Sequence, residues 1–467
     1  MAGPAARFGI SVGGCRYLRS VLRTTDAATS PSGESFRPIQ YLGSKWRLLD
    51  AIEAQVNPLR TTGRPTACDL FAGTGVVADR LARSGPVLAA DIQEYSRVLT
   101  SAQLRPHALT AGRMSHICEA VDDALQGLRS DAFDALVAEE ERLLAGHDDV
   151  ALCDLVEGGS IASWTWSGGH QSPTDSLGFL LTDAAKALRN SRYAAITEHY
   201  GGVYFSYQQA ATLDALCVVA HGAASDEKDT ILAAILSTAS ELVASVGGHF
   251  AQPVRVRTAA GAVKTNSVAA VRRSRSQQAL PVFMRWLSKW SFRQPAAHPA
   301  VAVRADFRDV LGNLPLDVGV VYADPPYTRD HYSRFYHVLE TIAIGDQPGL
   351  TTVRLGGREV PSRGLYRQER HQSPFSIVRS APLALAQLCG ELKQRDLPLV
   401  LSYSPIPETE KPRQRVMTMG VLLRVLEETF DHVEVLPIAG ISHSKFNARH
   451  VNASPAEQAE VLVVCRP

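Results

Sequence analysis

The stretch that most narrows the choice of fold is Val318 to Tyr327, an apolar run that ends in Asp324-Pro325-Pro326-Tyr327. A short apolar run closed by a carboxylate reads as a buried parallel strand. It delivers Asp324 to the carboxyl edge of a sheet, where open α/β folds place their chemistry. Each proline fixes φ at about −65° and lacks an N–H, and Pro326 holds Pro325 extended. The carbonyls here therefore find no ladder donor and stay free to accept other hydrogen bonds. A carboxylate, a free carbonyl and an aromatic ring within four residues suit a planar amino group, such as the exocyclic amine of a nucleobase. A proline turn covered by Tyr327 is the plainer reading of the same residues.

The α/β pattern occurs again near the start of the chain. Thr66–Phe71 reads as a strand, Ala72-Gly73-Thr74-Gly75 as a tight turn, and Val76 to Ser84 as a helix closed by Gly85-Pro86. Val87–Ala90 then reads as a second strand ending at Asp91, which completes a β-α-β unit. Further strand-like runs lie at Ala300–Val303, Leu397–Ser402, His432–Leu436 and Val461–Val464, with helical patterns at 379–394 and 416–429. Between about residues 100 and 300 the alternation stops. The economical arrangement is one doubly wound α/β domain, residues 37–100 and 300–467, interrupted by a largely helical insertion over 101–299. Residues 1–36 hold four arginines before the first acid and end in small residues. They read as a poorly ordered tail, with a transit peptide as the alternative.

Composition excludes several classes. The chain has 467 residues, 45% hydrophobic and 20% charged, an ordinary soluble balance with ample material for a core. No apolar run approaches the ~18 residues of a membrane span. Seven cysteines without a C-x-x-C pair argue against a zinc module or disulfide scaffold and for a reducing compartment. His443 and His450 have no third ligand at useful spacing, so no metal is assigned. A net charge of +1 gives no global field for a polyanion, and any such signal must be local. Residues 119–157 carry twelve acids against Arg129 and Arg142, as on a solvated acidic helical face. Between Glu241 and Asp306 there is no acid but ten Lys and Arg, with Trp286, Trp290 and Phe292 interleaved. That stretch is either a phosphate-contacting surface or a basic face that balances the acidic helices within one domain.

Gly73 to Ala78 satisfies the G-x-G-x-x-A fingerprint, and Asp91 lies near the distance expected of a ribose-binding acid. Glycines let the backbone approach a ligand, and a carboxylate at the next strand's end binds vicinal hydroxyls. Any adenosine-containing cofactor is compatible, and the loop alone does not separate NAD from S-adenosylmethionine. A carboxylate capping the following helix is the other reading of Asp91.

The order of the elements is more specific than any one of them. Tyr41 to Lys45, then Asp69 to Gly75, Asp91, a long insertion and finally Asp324-Pro325-Pro326-Tyr327 resembles the Dam-type (alpha-order) DNA adenine-N6 methyltransferases. In that family the cofactor motif precedes the target-recognition insert and the catalytic motif follows it. The resemblance covers roughly residues 38–100 and 300–467. It implies a class I, Rossmann-like methyltransferase fold with a mostly parallel seven-stranded sheet, and S-adenosylmethionine as methyl donor. It further implies that Tyr41 and Lys45 close over the cofactor's methionine part and that Asp69, Phe71, Gly73 and Gly75 form the glycine loop. Asp91, with Ile92 beside it, would meet the ribose, and Asp306-Phe307 the adenine. The family usually shows Lys-Trp-x-Gly-Gly-Lys in its first motif, where this chain has Gln40-Tyr41-Leu42-Gly43-Ser44-Lys45.

By the same resemblance, the Asp324 carboxylate and the Pro325 carbonyl accept the two N–H bonds of an adenine amino group. Pro326 and Tyr327 complete the motif, with Tyr327 stacked on the base. A base inside a duplex is out of reach, so the target would flip out, at a cost of roughly a few kcal/mol. The insertion would read the target, with Arg255, Arg257, Lys264, Arg272, Arg273 and Arg275 as candidate DNA contacts. Lys445, in the loop before the last strand, and the glycine-aromatic loop Tyr200–Tyr207 are added by likeness; a buried turn is the alternative for the latter. The expected protein is a site-specific DNA methyltransferase of restriction-modification, phage defence or epigenetic marking. It would be cytoplasmic and nucleoid-associated, with DNA and defence-system proteins as partners. N4-cytosine methylation, adenine methylation in RNA, a nicotinamide-dependent oxidoreductase and a catalytically silent DNA-binding subunit are the competing readings.

Overall fold

The computed structural model describes residues 36–166, 176–404, 415–438 and 460–467, apart from Leu42, Ser44, Asn190 and Arg192. Lys445 with its loop, and the expected tail as far as residue 35, lie outside the described residues. The strands among the described residues are β1 (Thr66–Asp69), β2 (Val87–Asp91), β3 (Ala300–Arg304), β4 (Val318–Ala323), β5 (Thr352–Leu355), β6 (Arg358–Pro361), β7 (Leu399–Tyr403), β8 (His432–Ile438) and β9 (Glu460–Arg466). Seven form one sheet in the order β3-β2-β1-β4-β7-β9-β8, and β5 and β6 form a separate hairpin. β1 pairs in parallel with β2 and β4, β2 with β3, and β4 with β7. β9 is the exception, antiparallel to both β7 and β8. The fold is a Rossmann-like methyltransferase sheet, mostly parallel and seven-stranded, with many helices.

The sequences of the central strands follow from burial on both faces, which removes the usual alternation of apolar and polar positions. Every residue of β4 is buried. Val321 and Ala323 pack in the layer that holds the helix Ala381–Gln394, whereas Val320 and Tyr322 pack against the layer of helices Leu49–Val56 and Val76–Leu81. Strand order reverses at β1, whose chain neighbour β2 lies on one side and β4 on the other. A crevice at such a switch point, outside the carboxyl ends of the strands, is where ligands bind in open α/β sheets.

β2 and β3 are adjacent and in register, with Val87 opposite Ala300. Among the described residues, the chain from Ala111 to Ser291, between these two strands, carries many helices and no strand. Its core continues into helix Glu94–Leu104 of the sheet domain and into helix His337–Ile344, which follows the Asp-Pro-Pro-Tyr motif. The hairpin β5–β6 was not expected from the sequence. Its four-residue strands turn at Gly356 and Gly357, both at positive φ, and its exposed positions carry Val353 and Leu355 alongside charges.

The acid-free stretch proves to be the electrostatic complement of the acidic helices. Arg257 donates to Asp154 and Glu157 at 2.7 Å each, and Arg272 to Asp149 at 2.7 Å and to the Leu143 and Leu144 carbonyls. Arg275 is 4% exposed; it pairs with Glu140 at 2.8 Å and donates to the Gly202 and Val203 carbonyls. This corrects the expectation of a DNA contact for Arg275, which is sealed inside the helical core. Arg257 and Arg272 are likewise committed to carboxylates of the same region. Arg255 and Arg273 are exposed or partly so, and Lys264 is half-buried where it precedes helix Thr265–Arg275. The Tyr200–Tyr207 loop is a buried turn: Tyr200, Tyr204, Phe205 and Tyr207 have no solvent exposure.

Removing one partner from a buried ion pair leaves an uncompensated charge, at a cost of about 3–5 kcal/mol. Arg275→Ala is therefore expected to lower the unfolding free energy by about that much, read from the shift in urea midpoint. Arg273→Ala, on the outer side of the same helix, should change it by no more than about 0.5 kcal/mol.

Candidate active site

The first wall of the cavity is the turn that follows β1. Gly73 has φ +56° and Gly75 has φ +80°, a backbone region that side chains disfavour. A Cβ on Gly73 would sit 2.6 Å from the Tyr41 hydroxyl, and one on Gly75 2.8 Å from the Thr100 backbone. Glycine is thus demanded twice, by torsion and by space. The turn opens helix Val76–Leu81, and the Gly73 amide donates to Asp91 Oδ2 at 3.0 Å. The Gln93 amide donates to the other oxygen of Asp91 at 2.9 Å. Burial pushes the Asp91 carboxyl up, against these two amides and Ser96. Capping of helix Glu94–Leu104 falls instead to Glu340, which accepts from the Glu94 and Tyr95 amides at 3.0 Å each.

The second wall comes from β4. Asp324 follows the last residue of the strand, and its Oδ2 receives the Lys45 ammonium at 3.0 Å. Lys45 is 4% exposed and also meets Glu460 at 3.4 Å. Glu460 arrives by topology. Because β9 runs antiparallel to β7, with Tyr403 opposite Val461, the first residue of β9 lies at the carboxyl edge. Burial pushes the Asp324 carboxyl up to about 6, Lys45 opposes that shift and Glu460 adds to it. Burial also works against the charge on Lys45, but Asp324, Tyr327 and Glu460 outweigh it and hold the ammonium well above the ordinary lysine value. The other oxygen of Asp324, Oδ1, is buried and has no hydrogen-bond partner among the described residues. No backbone amide among them donates to the Pro325 or Pro326 carbonyl.

Between these walls sits Asp69, 1% exposed at the end of β1. Burial, then the charge of Asp324, push its carboxyl up to about 8. The Phe71 and Ala78 amides lie close enough to oppose this, yet neither makes a hydrogen bond of normal geometry. Tyr327 is 6% exposed, with Arg415 over its ring at 4.5 Å and Lys45 at 5.5 Å. Tyr41 stacks on Tyr336 at 5.2 Å between centroids. Phe307 packs against Phe71 and Phe375, and Asp306 caps the helix that Phe307 begins.

One cavity is lined by Tyr41, Lys45, Asp69, Phe71, Gly73, Asp91, Ile92, Asp306, Phe307 and all four residues Asp324–Tyr327. Gly75 is the one residue assigned to the cofactor that does not line it; it shapes the turn from behind. Glu460, His331, His371 and Arg415 were missed in the sequence. For Glu460 the only available signal was an acid opening a strand-like run, which carries no meaning until the strand's direction is known. No group of three or more His, Cys, Asp or Glu among the described residues could hold a metal ion. No helix among them is long and apolar enough to cross a membrane.

A mostly parallel seven-stranded sheet whose switch-point cavity joins a glycine turn to an Asp-Pro-Pro-Tyr edge defines a Rossmann-like methyltransferase class. Residues 41–142 match the family model of the D12 class N6 adenine-specific DNA methyltransferases, consistent with the Dam-type resemblance of the motifs. The match spans the glycine turn, Asp91 and the first insertion helices, and it ends well before Asp324. No curated protein matches the chain.

Lys45 lowers the pKa of Asp324, so Lys45→Met should leave burial unopposed and move that carboxyl above about 6. A carboxyl-carbon NMR titration of aspartate-labelled protein reads the shift; an unchanged midpoint would show that the ion pair does not govern Asp324.

Proposed function

We propose that the chain transfers a methyl group from S-adenosylmethionine to N6 of an adenine in DNA, the base being flipped out of the duplex into the switch-point cavity. The observation that carries this reading is the division of labour on Asp324: Oδ2 is tied to Lys45, while Oδ1 has no partner among the described residues and Asp324 lines the cavity. A buried acceptor left unmade is costly, by about 1–3 kcal/mol, unless a ligand completes it. The Pro325 carbonyl, one residue on, is the second acceptor that a primary amine requires.

An adenine amino nitrogen is a weak nucleophile because its lone pair is delocalised into the ring. Two acceptors that draw its N–H bonds out of the ring plane localise that pair and aim it. Asp324 Oδ1 and the Pro325 carbonyl take those roles, and Tyr327, braced between two cations, offers the base a face. Such positioning and preorganised electrostatics supply the rate without a covalent enzyme intermediate.

The cavity fits S-adenosylmethionine on three observations. The glycine cradle at Gly73 admits no side chain, Asp69 keeps two buried oxygens without a partner among the described residues, and Asp91 is oriented by the Gly73 and Gln93 amides. Asp91 would hold the ribose hydroxyls, Ile92 and Phe307 the adenine, with Asp306 at its edge, and Asp69, Tyr41 and Phe71 the remainder. Bound there, the sulfonium supplies the methyl group. Lys45 departs from the role that the motif resemblance implies: its ammonium is committed to Asp324 and Glu460, and we assign it to holding the catalytic carboxylate charged. We place the protein's work in restriction-modification, phage defence or epigenetic marking, among nucleoid-associated enzymes of the cytoplasm.

Asp324→Ala should lower methyl transfer by at least about 10²–10³-fold while leaving S-adenosylmethionine affinity within a few-fold. Tritium transfer to mixed-sequence DNA and calorimetry measure the two, and nucleoside mass spectrometry should find N6-methyladenine. Persistent turnover in this variant would refute the assignment. Because the acceptor must be ionised and its carboxyl titrates at about 6, activity should fall as pH drops through that value. Asp91→Ala should instead weaken cofactor binding with no change in DNA binding.

A further inference from the structure

The basic stretch pairs Arg257, Arg272, Arg275, Arg285 and Arg293 with carboxylates of the chain, so a further source of grip on a polyanion is worth seeking beside the cavity. Two arginines beside the cavity are placed for it. Residues 331–333 and 371–373 both line the cavity, and the two segments meet where the Gln372 amide lies 3.3 Å from His331 Nε2. Arg334 directly follows the first segment and Arg370 directly precedes the second. Both guanidinium groups lie against one ring, Tyr366, at 5.6 Å and 5.0 Å from its centroid.

The ring is held in place. The Tyr366 hydroxyl donates to the Ala251 carbonyl, and its ring meets that of fully buried His337 at 5.2 Å, edge to face. Arg370 is anchored through Nε to the Arg367 carbonyl at 2.9 Å and through one terminal nitrogen to the Thr351 hydroxyl at 3.4 Å, both neutral acceptors. Arg367 itself is 3% exposed and neutralised by Asp346 at 2.7 Å. Arg334 and Arg370, by contrast, have no carboxylate within ion-pair distance among the described residues. Arg334 is exposed and Arg370 half-buried. The like charges are close enough to feel one another: burial first, then Arg334, lower the pKa of Arg370, and burial followed by both arginines lowers that of His331. Two guanidinium groups against one ring, with no carboxylate paired to either among the described residues, make a local positive centre that an anion would complete.

We propose that Arg334 and Arg370 form a phosphate clamp beside the cavity, gripping the DNA backbone next to the nucleotide whose base enters it. The proposal rests on the DNA reading above. Guanidinium forks match phosphate oxygens bidentately, and a clamp on the neighbouring phosphates would hold the strand while the base is out of the stack. The source of the phosphate is a nucleic-acid backbone, because the two groups lie beside a cavity whose acceptors fit a base amine.

The test uses the full chain and a fluorescein-labelled mixed-sequence duplex, with anisotropy titrations over a range of salt. Each phosphate contact contributes about 0.9 to the slope of log affinity against log salt. The double variant Arg334→Gln, Arg370→Gln should bind at least tenfold more weakly and lose about one to two from that slope. S-adenosylmethionine affinity should stay unchanged, and Arg334→Lys, Arg370→Lys should restore slope more than methyl-transfer rate. Arg334→Gln alone, at the more accessible side chain, repeats the test should the double variant unfold. Wild-type affinity and slope in a folded variant would overturn the clamp. Because the readout is binding, a wild-type chain that binds DNA with the expected slope yet transfers no methyl group would sink the enzymatic reading alone; a wild-type chain with no salt-dependent affinity for DNA would sink the clamp.

Discussion

A single buried ammonium between two carboxylates is the constraint on which the cavity depends. One cation cannot satisfy two acids. Lys45 is bound at one oxygen of Asp324 and one of Glu460, and the second oxygen of Asp324 is left for whatever enters the site. Removing all three charges from water costs several kcal/mol per ion, which only close geometry offsets. That geometry is assembled from distant parts of the chain: a segment before the first helix, the end of β4 and the start of β9. The sheet is what brings them together. Parallel pairing puts the ends of β1, β2 and β4 on one edge, and the one strand antiparallel to β7 adds its first residue to the same edge.

All seven strands of that sheet are legible in the sequence: the central ones because a strand covered on both faces writes itself as an apolar run, the edge strands β3 and β8 through their β-branched residues although they are largely uncovered. The glycine turn and the Asp-Pro-Pro-Tyr edge are legible for a different reason. There the backbone or the chemistry demands particular residues, and every residue assigned to catalysis and cofactor except Gly75 lines one cavity. Glu460 was not legible, since its place depends on the direction of β9, which no local pattern encodes. The hairpin β5–β6 was hidden because its strands are four residues long, mostly exposed and interleave charges with apolar groups.

The arginines of the insertion show the opposite case, a strong compositional signal that has more than one cause. Composition counts charges but does not say which charges meet. Arg257, Arg272 and Arg275 are far in the chain from Glu140, Asp149, Asp154 and Glu157 and meet them in the fold, so part of each extreme is the other's complement. Arg275 is the clearest case, since it is no more than 4% exposed and satisfies Glu140 together with two carbonyls. Its neighbour Arg273 lies on the outer side of the helix, and nothing in the sequence distinguishes the two except helical phase. Arg334 and Arg370 drew no attention in the sequence because each stands in an ordinary local composition.

The two halves of the interrupted domain are joined at the site itself, beyond the joining supplied by the sheet. Tyr336, just after the Asp-Pro-Pro-Tyr motif, stacks on Tyr41 from the first motif and packs against Tyr95 from the helix that follows β2, each at 5.2 Å. One turn later, Glu340 supplies the acceptor for the first amides of that same helix, where a carboxylate is favoured by the helix dipole. The Tyr41 hydroxyl in turn fills the space that a side chain on Gly73 would need. A displacement of the segment carrying Asp324 to Tyr336 is therefore felt at once by the glycine turn, through a ring stack and a capping carboxylate. Such an arrangement couples the face that would receive a base to the face that would receive a cofactor. The helices between β2 and β3 pack on the same segment, since Tyr336 and helix His337–Ile344 share a core with Tyr200, Tyr204 and Phe250.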